Sequence, residues 1–273
     1  MAGRRKLQTT EDFKRALKNR YGLGERDSYK PWIRVQDVAS QGNSAKIQGL
    51  KAKREHHTLS EHESCFFYLA EFSDSVIDIR EQFPLLPLDL SVKISSVLGV
   101  KHPIVPGTKT LNVMTTDFLL TCSDGFKTWY EAISVKPENK INDKRTAEKL
   151  DIERVWWELQ GVPFHIFTMT EMNKIQSRNV QWATSPTRQG KKFDDELLLA
   201  ALEFVTEGLV FVESLCNVFV EKLSVEHDDA LVLLKTLVAR KLVLIELNNS
   251  ITDTGILNVT GINQRAGDKL YAG

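Results

Sequence analysis

Asp117 and Lys136 are the residues on which a chemistry can be built. Asp117 follows Thr115 and Thr116 and opens an apolar run, Phe118-Leu119-Leu120. After a Ser123-Asp124-Gly125 turn, a second run, Ala132-Ile133-Ser134-Val135, ends in Lys136. Two antiparallel strands, one opening with an acid and the other closing with a lysine, read as a metal-dependent site for phosphodiester hydrolysis. A further acid, Glu63, comes from an upstream helix. In such a site the Asp holds a divalent cation against the phosphate, and the lysine polarises the attacking water or steadies phosphate charge. An acid inside Met114-Thr115-Thr116-Asp117-Phe118 is costly if buried, unless it is paired, binds metal or accepts hydrogen bonds from loop amides.

Strand alternation puts Ala132, Ser134 and Lys136 on one face and Glu131, Ile133 and Val135 on the other. Ser134 is a weak ligand for a hard cation, and Glu131 has the wrong parity to replace it without a bulge. The backbone carbonyl of Val135 remains as a ligand. The expected donor set is therefore Asp117, Glu63, the Val135 carbonyl, Ser134 as a doubtful member, and several waters, which suits Mg²⁺. Glu63 has a competing role. Ser60-x-x-Glu63 is a capping box in which the carboxylate would return to the Ser60 amide, and the local pattern by itself favours the cap. His56, His57 and His62 lack the spacing of a zinc site and point to packing or DNA contact.

The elements that must position these residues follow from periodicity and punctuation. Helices are expected over 10–20 with Thr10 as cap, from Ser60 to about Phe72, over 90–98, and from Asp143 to Gln160, where Gly161 and Pro163 stop it. Strands are expected at Trp32–Val35, from Val76 to near Pro84, in the paired region around Asp117 and Lys136, and, buried, at Phe164–Thr168. This half reads as α/β, a mixed sheet flanked by helices. Ser185–Lys192 has linker composition. Beyond it one long apolar helix is expected from Asp194 to Leu223, then a helix over Asp228–Arg240 and a strand at Leu242–Leu247. A helix running into a hydrophobic strand has the form of a winged-helix core, and Asp228 and Asp229 favour a protein partner over DNA there.

Composition sets limits on function. The chain has 273 residues, 42% of them hydrophobic, enough for one large or two modest domains. Three widely spaced cysteines, Cys65, Cys122 and Cys216, indicate neither a disulfide framework nor a zinc knuckle. No apolar run is long enough for a membrane span, so a soluble, cytoplasmic protein without membrane contact is expected. The zero net charge conceals an asymmetry. Residues 1–60 carry 14 basic and 6 acidic side chains, and residues 193–273 carry 6 basic and 13 acidic. The basic front suits a phosphate backbone and the acidic end suits a protein.

With these residues in place, the chain resembles the TnsA endonucleases of heteromeric cut-and-paste bacterial transposons. The matching stretches are His56-His57-x-Leu59-Ser60-x-x-Glu63, Asp78-Ile-Arg-Glu-Gln-Phe-Pro-Leu-Leu-Pro87, Lys101-His-Pro103, Thr116-Asp117-Phe118-Leu119 and Val135-Lys136-Pro137. The resemblance implies a restriction-endonuclease-like catalytic domain over 1–170 and a C-terminal winged-helix domain over 171–273. It implies cleavage of the 5′ strands at transposon-end DNA, alongside a TnsB transposase that processes the 3′ ends. The C-terminal region would engage the ATP-dependent regulator TnsC. By position, Glu63 and Asp117 correspond to the family's acidic site residues and Lys136 to its lysine, with Mg²⁺, or Mn²⁺ in its place, as cofactor. Ser134 stands where the founding member has Gln. Two alternatives remain open: a catalytically lapsed DNA- or partner-binding subunit, and a free-standing restriction or repair nuclease of the same fold.

Overall fold

The computed structural model describes residues 5–38 and 43–263. Met1–Arg4 of the basic front, and Arg265, Asp268 and Lys269 of the acidic end, lie outside the described residues. The chain divides into two compact units, 1–169 and 170–273.

The first unit opens with α1 (Thr10–Lys18). Its cap is Thr9 rather than Thr10, because Asp12 is the residue three positions on that can return to the cap amide. The expected strand at Trp32–Val35 does not form. The Trp32 amide bonds to the Gln82 carbonyl, and the Arg34 guanidinium folds onto Asp37 across a 3-10 turn at Val35–Asp37. A short hairpin, β1 (Ala45–Gln48) with β2 (Glu55–Thr58), then leads into α2 (Glu61–Phe72).

The centre of this unit is a four-stranded mixed sheet. Its strands are β3 (Val76–Pro84), β4 (Thr115–Ser123), β5 (Thr128–Val135) and β6 (Phe164–Phe167), adjacent in that order. The first three run antiparallel, and β6 lies parallel to β5. Helix α3 (Leu88–Val97) follows β3, while α4 (Glu138–Ile141) and α5 (Lys144–Leu159) form the crossover from β5 to β6. A parallel neighbour requires such a crossover, because a hairpin turn can only join antiparallel strands.

Alternation divides the sheet's two faces. Phe118, Leu120, Ile133 and Val135 pack with Phe67 and Ala70 of α2, whereas Leu119 and Ala132 pack with Ile94 of α3 and Ile152, Trp156 and Trp157 of α5. Each face buries a set of large side chains worth roughly 1.5–3 kcal/mol apiece. The strand expected to be buried at the end of the unit, β6, is instead an edge, with His165 and Ile166 exposed.

The second unit begins with α6 (Glu171–Arg188), whose last turn includes Pro186. Ser185–Arg188 is therefore helix, and the turn-forming residues mark its end at Gln189 and Gly190 rather than a linker. The expected long helix from Asp194 to Leu223 is broken into α7 (Asp195–Leu202), β7 (Gly208–Phe211) and α8 (Val212–Leu223). Gly208, at φ +103°, permits the reversal that directs Leu209, Val210 and Phe211 into a strand. Helix α9 (His227–Ala239), β8 (Val243–Ile245), the single turn α10 (Ile251–Thr254) and β9 (Ile256–Ile262) complete the unit, with a sheet in the order β7-β9-β8. No described helix is long and apolar enough to cross a membrane.

Candidate active site

The site is assembled at one end of the β4–β5 pair. Asp117 lies two residues into β4, and Lys136 lies one residue beyond β5, where its amide still bonds to the Phe167 carbonyl of β6. Asp117 Oδ2 accepts hydrogen bonds from the Val135 amide at 2.6 Å, Lys136 Nζ at 2.7 Å and Ser134 Oγ at 3.3 Å. These three donors converge on one carboxylate oxygen, Oδ2, and not on Oδ1. Lys136 Nζ also donates to the Val135 carbonyl at 2.9 Å, so the atom expected as a cation ligand is held by the lysine. Ser134 is buried and its hydroxyl donates to Asp117.

Glu63 enters from the first turn of α2. The Ser60 hydroxyl accepts from the Glu63 amide at 3.2 Å and donates to Glu63 Oε1 at 2.9 Å. The carboxylate does not return to the Ser60 amide; Oε2 accepts from the Leu59 amide at 2.8 Å instead. The reciprocal capping box is thus displaced by one residue. Gln82 Nε2 donates to the same Oε2 at 3.3 Å. Burial, and next the negative charge of Asp117, raise the Glu63 pKa to about 7, against the pull of the Leu59 and Ser60 hydrogen bonds and Lys136.

A fourth group was not anticipated. Glu153 of α5 is buried, and its Oε1 has no hydrogen-bond partner. Burial, reinforced by the charge of Asp117, pushes its carboxyl pKa up to about 8, although Lys136 and the hydroxyls of Thr116 and Ser134 act in the opposite direction. The Thr116 hydroxyl in turn accepts from Trp157 Nε1 at 2.6 Å. Burial alone would lower the pKa of Lys136, but Asp117, Glu153 and Glu63 outweigh it and hold the ammonium above its ordinary value. The sequence did carry a signal for Glu153. Ile152, Glu153, Trp156 and Trp157 recur at helical spacing, so this acid lies on the apolar stripe of α5, where an unpaired carboxylate is anomalous.

The remaining candidates have other roles. His56 and His57 are buried; His56 Nδ1 lies 2.9 Å from Glu81 Oε2, and the His57 amide donates to Glu81 Oε1. Arg54 closes this network with two hydrogen bonds to Glu81, at 2.6 and 2.7 Å. With His56 and Arg54 opposing the effect of burial, the Glu81 carboxyl is held far below the usual carboxylate range. These histidines are packing residues. Among the described residues no group of three or more His, Cys, Asp and Glu is arranged to hold a metal ion.

A helix-flanked mixed sheet that gathers Glu63, Asp117, Glu153 and Lys136 is consistent with a nuclease fold. Residues 73–169 match the family described as "TnsA-like endonuclease N terminal". Over 172 residues the chain is 44% identical to the transposon Tn7 transposition protein TnsA of Escherichia coli, a match covering 63% of this chain and 61% of that relative. Over these residues the chain is similar to the TnsA endonucleases, and the alignment takes in under two thirds of the Escherichia coli relative's length. Asp117, Ser134, Lys136 and Glu153 fall within the family match, and Glu63 falls before it.

Proposed function

We propose that this chain is the metal-dependent DNA endonuclease subunit of a transposase, cleaving the 5′ strands at transposon ends in concert with a TnsB-type partner. The observation that carries this reading is Asp117, bonded to Lys136 and electrostatically linked to two buried carboxyls, in a chain similar to TnsA.

The donor chemistry suits Mg²⁺, with Mn²⁺ as a substitute: hard carboxylate oxygens from Asp117 and Glu63, with the other positions left to water and phosphate. Bound there, the ion would supply a polarised water and offset the charge of the scissile phosphate. Val135 and Ser134 enter this picture differently from the expectation. Both serve to orient Asp117, the first through its amide and the second through its hydroxyl. Asp117 in turn fixes the Lys136 ammonium, which is kept charged and placed to donate to a phosphate oxygen as negative charge develops on it. Glu153, neutral below about pH 8, spares the incoming phosphate a further negative charge.

A winged-helix reading is supported in the C-terminal unit by α8 and α9, which pack together and are flanked in sequence by the strands of a small antiparallel sheet, β7 before them and β8 and β9 after. We assign it to protein contact, with a TnsC-type ATP-dependent regulator as the partner.

The decisive measurement is strand cleavage of end-bearing duplex DNA by the full chain together with its transposase partner. Asp117→Ala should abolish 5′-strand cutting while the protein remains folded, a loss of several kcal/mol of transition-state stabilisation. Cleavage at the parent rate by folded Asp117→Ala would remove the site. An intact chain that binds the partner but never cuts would establish a lapsed subunit, the reading that Ser134 favours. Cutting that needs no partner would establish a free-standing nuclease.

A further inference from the structure

Gln82 is a buried non-glycine residue held at φ +49° near the end of β3. Side chains rarely adopt that conformation, and it persists only where the surroundings impose it. Here they do so from every side. The preceding residue, Glu81, is fixed by Arg54 and His56; the following one, Phe83, stacks on Tyr29 and packs against Trp157; and the Gln82 carbonyl accepts from the Trp32 amide at 3.2 Å. In the register of β3 against β4, Glu81 faces Phe118 and Phe83 faces Thr116, which sets Gln82 level with Asp117.

The side chain uses both ends of its amide. Nε2 donates to Glu63 Oε2 at 3.3 Å, and Oε1 accepts from the Thr115 hydroxyl at 3.1 Å. The Glu63 carboxylate fixes which end of the amide faces it, since only the NH₂ group can donate to a carboxylate, and the Thr115 hydroxyl then donates to Oε1. The distorted backbone thus carries a rigid bracket between the start of β4 and the first turn of α2.

We propose that Gln82 is the positioning residue that aims Glu63 toward Asp117, so that the two carboxylates hold a divalent cation together. This rests on the nuclease reading above. Without the bracket, Glu63 would be left to its helix-capping bonds with Leu59 and Ser60, which need no particular approach to Asp117.

The test is Mn²⁺ binding by the full chain, followed calorimetrically, with cleavage and melting temperature measured in parallel. The variants are Gln82→Gly, Gln82→Asn, Thr115→Val and the double variant Gln82→Gly/Thr115→Val. Glycine releases the backbone strain and removes the amide. Asparagine accepts the left-handed backbone but is one methylene too short to reach both partners. Both single substitutions at position 82 should weaken Mn²⁺ binding about 10- to 100-fold, the usual effect of losing a residue that orients a metal ligand. Thr115→Val should weaken it less, and the double variant should match Gln82→Gly, because both act through one bracket. A structural role alone would shift the melting temperature and leave the Mn²⁺ affinity at the parent value; that result, or additive losses in the double variant, overturns the proposal. If the parent chain binds no Mn²⁺ and Glu63→Ala changes nothing, the nuclease reading fails, and the role of Gln82 fails with it.

Discussion

Glu63 is bound at the start of a helix and is also proposed as a cation ligand. The pattern Ser60-x-x-Glu63 marked a helix cap, and the carboxylate does accept bonds at the start of α2, but from Leu59 and the Ser60 hydroxyl. A cap is worth about 1 kcal/mol of stability. At pH 5, where Glu63 is protonated in the folded chain, Glu63→Gln should therefore lower the melting temperature only slightly, while at neutral pH it should remove most divalent-cation affinity. A shift in melting with unchanged cation binding would leave Glu63 a cap and nothing more. Asp117 and Lys136 were legible because each interrupts an otherwise apolar run. Gln82 was not, since a left-handed backbone at a glutamine leaves no mark in composition or period.

Glu153 adds a pH dependence with a definite sign. Below about pH 4.5 its carboxyl is protonated whether the chain is folded or not. Between there and about 8 the folded chain keeps the proton while the unfolded chain has lost it. The folded state binds more protons through that window, so this residue makes stability fall as pH rises. Glu63 acts in the same direction up to about 7. Melting curves recorded without metal should decline from pH 5 to pH 8, and Glu153→Gln should flatten the decline and be the more stable protein at pH 8. An unchanged slope would mean that Glu153 is ionised in the folded chain throughout.

At the scale of elements, the site end of the sheet opens onto a cleft of about 340 Å³ that Lys136 and Glu153 share with Met114, Thr115, Lys140 and Lys149. Lys140 belongs to α4 and Lys149 to α5, both exposed, so the β5–β6 crossover brings two further cations to the mouth of the site. Several cations of the basic front, by contrast, are occupied: Arg5 and Arg34 by Asp37, Arg54 by Glu81, and Lys51 by the Ser73 and Val76 carbonyls. Lys140→Ala and Lys149→Ala together should lower the slope of log affinity for duplex DNA against log salt by about 0.9 for each phosphate that is no longer neutralised. An unchanged slope would mean that the phosphates are held elsewhere on the protein. The crossover itself was readable from the helix expected at Asp143–Gln160. The destination of its lysines was not, because it depends on which sheet face α5 covers.

At the scale of the molecule, residues 196–223 are rich in Leu, Val and Phe, and the structure spends much of that apolar surface internally. Leu198, Ala201, Leu202, Leu215, Cys216 and Phe219 are buried with Leu233, Leu234, Leu237, Leu257 and Val259 in a core confined to the second unit. One helical period was misread across a strand because Leu209, Val210 and Phe211 fit either structure, and Gly208 alone distinguishes them. What stays outside is narrow. Leu209 and Phe211 of β7 are 77% and 61% exposed, beside a cavity of about 570 Å³ lined by Phe211, Val212, Cys216, His227, Asp228 and Leu231. With its own core, fragment 170–273 should fold cooperatively when expressed alone, and with 13 acidic against 6 basic side chains over 193–273 it should bind duplex DNA negligibly at physiological salt. If this unit is the protein-binding part, the fragment should still bind the ATP-dependent regulator, and Leu209→Ser/Phe211→Ser should abolish that binding without lowering the melting temperature. Salt-sensitive DNA binding by the fragment, or regulator binding untouched by the double substitution, would place the partner surface elsewhere.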